Sequence, residues 1–224
     1  MTFPNAHNGL KKVLTAEILS VVSGFLLLLT GTFTAVAAAL AEKVAVSEET
    51  TAVFTLLSLG LLIAFSAVGI LSIILKIVGL KKAGNDEAVF RNALIAALIS
   101  LALSVFEMTL NALSRQSVAR IFTTAISVCD IFVVIFVIQG IQNLSEKLDN
   151  EKMVKAGQVL MILIAVAYGF KALTMLFPVF FWNETDFLSK VTSSCEIMSA
   201  LASMVGGILY IVYLIRAIRM LKKN

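Results

Sequence analysis

Five polar side chains fall at helical spacing in an apolar stretch of the chain. Ser100, Ser104, Glu107, Asn111 and Ser114 follow one another at intervals of 4, 3, 4 and 3, in and just past the segment 92–113. On a helix that spacing puts all five on one narrow face. The segment is hydrophobic enough to lie in lipid, and a carboxylate facing lipid tails is costly. Glu107 is therefore expected to face other helices or a wet cavity. Two more acids have similar company. Asp130 has Thr123 seven residues before it and Ser127 three before it. Glu196 shares a face with Ser189, Thr192, Ser199 and Ser203, which continues to Gly207 and Tyr210. Lys171 lies in an apolar setting with no such stripe, so it is expected to pair with an acid, Glu107 first, or to give up its proton.

Acids and hydroxyls at these depths suit a hydrophilic cavity, open to the outer side, that binds a small cation or a small solute or carries a proton. Ionisable residues inside a membrane mark such pathways. The competing reading is packing alone. Interhelical polar contacts in membranes average only about 0.6 kcal/mol, and Ser and Thr also let helices approach closely without any cavity.

Composition sets the class. The 224 residues are 59% hydrophobic and 14% charged, with mean hydropathy +0.98 and formal net charge +4. Soluble domains carry about 25% charged residues, so this pattern belongs to membrane proteins. The two cysteines, Cys129 and Cys195, lie in apolar segments, which indicates neither a disulfide framework nor a zinc site. The single histidine, His7, precedes the first apolar run.

Six apolar segments position the polar faces: 15–41, 51–80, 92–113, 121–144, 156–182 and 191–215. Each approaches or exceeds the roughly 20 residues a transmembrane helix needs. The expected fold is all-α, a single helical membrane domain over 1–224. The first segment ends in small residues, as a signal peptide does, but it is about twice the usual length of a signal-peptide core and contains Glu17. It is expected to be retained. Of the 18 Lys and Arg, 13 fall on the side of both termini: Lys11, Lys12, Lys76, Lys81, Lys82, Arg91, Lys147, Lys152, Lys155, Arg216, Arg219, Lys222 and Lys223. Four fall on the other side, Lys43, Arg115, Arg120 and Lys190, and Lys171 lies within a span. The positive-inside bias predicts cytoplasmic termini in a multi-pass protein of the cell membrane.

The three inward-returning segments end alike, at 78–83, 139–144 and 216–221, and Phe25, Phe106 and Phe170 align on the outgoing ones. This faint repeat suggests three tandem hairpins, an organisation met in transporters. The repeat signature of mitochondrial carriers is absent, since Pro4 and Pro178 are the only prolines. Six spans, cytoplasmic termini and the small residues Ala35, Ala37, Ala39 and Ala41 resemble the substrate-binding subunit of energy-coupling-factor importers. That resemblance implies capture of a small solute, although these alanines lie at the outer end of their span, where the resemblance departs.

No phosphate loop, zinc-protease motif or nucleophile elbow occurs, and no histidine is available to pair with an intramembrane serine. An enzyme is not expected, nor a cofactor, a metal centre or a nucleic-acid partner. The expected activity is that of a small-solute or ion permease or channel-like protein whose partner surface is the lipid bilayer. The rival is a non-transporting membrane interaction protein, a complex subunit or immunity-type factor that binds another membrane protein through its helix faces.

Overall fold

The computed structural model describes residues 2–41, 48–113, 116–180 and 186–223, with side chains described for 2–39, 52–113, 121–169 and 197–222. These form six helices: α1 (Pro4–Ala41), α2 (Glu48–Ala83), α3 (Val89–Ala112), α4 (Gln116–Lys147), α5 (Glu151–Phe180) and α6 (Asp186–Lys223). The described residues contain no strand. Each helix contains a stretch long and apolar enough to cross a membrane. The helices run past the apolar segments at their charged ends. α1 starts at Pro4 rather than near residue 15, and α6 continues to Lys223. Pro4 suits a first helical position because its missing N–H would have no intrahelical partner there. The Lys- and Arg-rich last turns add charge that favours a helix C-terminus.

Contacts gather into two compact units, Met1–Leu10 with Leu80–Asn224, and Lys11–Gly79. In the larger unit, α3 lies along α4, α4 along α5, and α5 along α6. The pairings are antiparallel, because partner numbers fall on one helix as they rise on the other. Glu87 meets Asn143, Phe90 meets Gly140, Ser100 meets Asp130, and Glu107 meets Thr123. Likewise Met153 meets Tyr213 and Ala167 meets Ser199.

The core of this unit sits at the end holding the turns 84–88 and 148–150. Leu80, Phe90, Val137, Ile138, Ile141, Leu144 and Leu214 are fully buried there. Two glycines let helices meet closely. A Cβ on Gly140 would stand 2.8 Å from the Phe90 ring, and one on Gly157 would stand 2.6 Å from the Tyr213 hydroxyl. The α4–α5 turn is made by Asp149, at φ 53°, a left-handed conformation that Asp tolerates. Asn150 then caps α5, its side-chain oxygen accepting from the Met153 N–H at 3.3 Å.

The smaller unit is an antiparallel pair formed by α1 and α2. Ser72 Oγ donates to the Ala16 carbonyl at 2.8 Å, Lys76 Nζ lies 2.9 Å from Glu17 Oε1, and the Phe33 and Phe54 rings stand 5.9 Å apart. Its outward surface is apolar: Leu28 is 71% and Leu56 67% exposed. Water would penalise such a surface, and hydrocarbon does not.

Candidate functional site: the polar seam between α3 and α4

The sequence places the first polar stripe on α3, and the hairpin register sets α4 against it. Ser100 is buried, and its Oγ donates to Asp130 Oδ1 at 2.8 Å. Two turns further along α3, Glu107 Oε1 accepts a short hydrogen bond from Thr123 Oγ1. Between these crossings lie Ser104 and Ser127. Ser104 Oγ donates to the Ser100 carbonyl at 2.9 Å, and Ser127 Oγ to the Thr123 carbonyl at 3.0 Å. Each thus spends its proton on its own helix. The Phe106 and Phe122 rings, 6.2 Å apart, meet beside the Glu107–Thr123 crossing.

Exposure differs between the two helices of the seam more than along it. Ser100 is buried, Ser104, Glu107 and Ser127 are half-buried, and Thr123, Asp130 and Asn111 are exposed. Glu107 and Asp130 meet the seam seven α3 residues apart, about 10 Å at 1.5 Å per residue. That is too far to share one proton or chelate one ion directly. It suits two stations separated by hydroxyls. No group of three or more His, Cys, Asp or Glu stands together among the described residues.

The structure therefore brings together Ser100 with Asp130, and sets Ser104 and Ser127 between Asp130 and Glu107. Thr123, which the sequence groups with Asp130, serves Glu107 instead, because the antiparallel crossing sets those two side by side. Ser199 is elsewhere. It is buried on α6 and donates to the Ala167 carbonyl of α5 at 3.4 Å, a packing contact. Ser203 is exposed on α6. The side chains of Lys171, Glu196 and Ser114 lie outside the described residues, as does the expected pairing of Lys171 with Glu107.

Sequence reasoning missed a second polar cluster, at the α2–α3 turn. Asp86 Oδ2 accepts from the Ala6 N–H at 2.7 Å and Oδ1 from Asn5 Nδ2 at 2.9 Å, so it caps the start of α1. Glu87 Oε2 lies 2.6 Å from Lys147 Nζ and Oε1 accepts from Asn143 Nδ2 at 3.0 Å. Burial works against the charged form of Glu87. The hydrogen bonds from Lys147 and Asn143 and the Lys147 charge outweigh it, and hold the carboxyl below its ordinary value. Arg91 Nε donates to the Gly84 carbonyl at 2.9 Å and holds the turn against α3. A signal was present in the sequence: Asn143 and Lys147 stand four apart on one face of α4, and the turn supplies two adjacent acids.

No protein-family model, no curated protein and no solved structure matches the chain.

Proposed function

We propose that this chain is a multi-pass protein of the cell membrane, built of three tandem hairpins with both termini cytoplasmic, and that the α3–α4 seam handles a proton or small cation in a permease or channel-like activity. The supporting observation is the pair of carboxylates, Asp130 and Glu107, each bonded across the hairpin by a hydroxyl, with Ser104 and Ser127 between them. Close packing alone would be served by small residues and serines. Two acids at intramembrane depth add a cost that packing does not require. Each carboxylate also keeps a second oxygen beyond the bond named, which an ion or hydronium can occupy.

The test is ion flux in proteoliposomes holding the purified chain, with proton, sodium and potassium gradients imposed in turn. Wild-type protein is expected to dissipate at least one gradient, and Glu107→Gln and Asp130→Asn each to lose that flux while remaining folded. Equal flux in wild type and both variants would refute the assignment of these residues, and absence of any flux would refute the activity. A second reading draws on the exposure of Asp130. Another membrane protein seated on the seam would shield that carboxylate, and the chain would then be a complex subunit. Co-purification of one partner that Asp130→Asn releases would favour it.

A further inference from the structure

A groove of about 360 Å³ lies between α5 and α6, apart from the α3–α4 seam. Val159 and Leu163 of α5 and Leu209 and Val212 of α6 give it apolar walls, and Lys155 and Arg216 stand at one end. The register explains why both cations share that end. Tyr213 Oη donates to the Met153 carbonyl at 3.4 Å, so residues near 213 are level with residues near 153. At the other end a Cβ on Gly206 would stand 3.5 Å from a Leu163 methyl. Lys155 and Leu163 are eight residues apart, about 12 Å along the helix. The groove therefore runs parallel to the helices from a cationic mouth to a hydrocarbon-like interior.

We propose that this groove binds an anionic phospholipid, its phosphate between Lys155 and Arg216 and the start of an acyl chain along Val159 and Leu163. Both cations are exposed. Glu151 reaches Lys155 at 3.6 Å, with those two side chains 85% and 76% exposed. An ion pair that open to solvent is worth little, and a phosphate displaces it readily. The residues that line the groove include no acid, and the nearest described one is this Glu151, one turn before Lys155 on α5. Basic pockets between membrane helices at the cytoplasmic face recognise anionic headgroups through this chemistry. A free phosphate would fill the mouth and leave the walls uncovered. The proposal rests on the chain being membrane-spanning with its Lys- and Arg-rich side inward, and is independent of the cation path.

Native mass spectrometry of the full chain in detergent, titrated with phosphatidylglycerol or phosphatidylcholine, tests it. Phosphatidylglycerol is expected to remain bound where phosphatidylcholine dissociates. The Lys155→Ala/Arg216→Ala double variant should weaken that binding about thirtyfold, the effect of two cations near a headgroup. Val159→Trp, which keeps both charges and fills the slot, should weaken it as well, and Lys81→Ala should leave it unchanged. Equal retention of the two lipids, full retention by the double variant, or indifference to Val159→Trp would each overturn the lipid site. Displacement by inorganic phosphate at equal concentration would show an anion site without a lipid. Lipid preference lost with ion flux intact sinks this proposal alone, and the reverse result sinks only the flux reading.

Discussion

Thr123 and Glu107 show how a single interhelical bond can be weighed. Such contacts average about 0.6 kcal/mol in a membrane and reach about 1.7. Thr123→Val, which keeps the shape and removes the donor, should lower stability by about that amount. A cycle with Glu107→Gln, followed by unfolding in mixed micelles, should show the two changes to be non-additive. Additive losses would mean the bond contributes nothing. Glu87 offers a pH test outside the membrane-spanning segments. Its folded carboxyl is more acidic than the unfolded one. Its stabilisation is therefore complete above the unfolded value and disappears as pH falls through the folded one. Glu87→Ala should cost about 1.5–3 kcal/mol at neutral pH, the range for hydrogen bonds to charged groups, and should flatten the acid limb of a melting-temperature profile. A profile unchanged in shape would count against this role. The α3 stripe was legible because helical spacing is written in sequence. Glu107's partner was not, because the hairpin register decides it. Asp86 and Glu87 read as ordinary loop charges, since nothing local shows that α1 and α4 converge on them.

At the scale of elements, the existence and type of all six helices were legible from apolar length, and their ends were not. Hydropathy fades where Lys and Arg begin, whereas a backbone already helical continues while capping and packing favour it. The first turns of α1 and the last of α6 are the cases in point. Close approach is the other feature that hydropathy conceals. Gly140 contributes nothing to an apolar count, yet the fully buried Phe90 ring lies against it. Gly140→Ala should destabilise the α3–α4 pair by about 1–3 kcal/mol, the usual penalty for overpacking. Adding Phe90→Leu should recover part of that loss. A Gly140→Ala protein as stable as wild type in denaturant titration would show that the ring has room to move.

For the whole molecule, the split of 13 Lys and Arg against 4 makes a claim about orientation. Membrane-impermeant thiol reagents should modify a single cysteine introduced at Ser47 or Thr185 from outside intact cells, in a background lacking Cys129 and Cys195, and spare one at Asn85 or Asn150. The opposite pattern would invert the topology and place the Lys155–Arg216 mouth on the wrong side. α1 with α2, α3 with α4, and α5 with α6 pair antiparallel.

The Asp86 carboxylate that caps α1 has a consequence in time. It lies 80 residues downstream of the Ala6 N–H it binds. At roughly 5–20 residues per second of synthesis, the first turn of α1 waits about 4–16 s for its acceptor to be made. Throughout that interval the leading amides of α1 are open to water or to another acceptor. Only when the turn after α2 emerges can the first turn of α1 be capped by this carboxylate, so this part of α1 is made well before it is fastened. Ribosome-stalled chains ending before and after residue 86 should differ in protection of the 5–10 amides from hydrogen exchange, and Asp86→Ala should remove that difference.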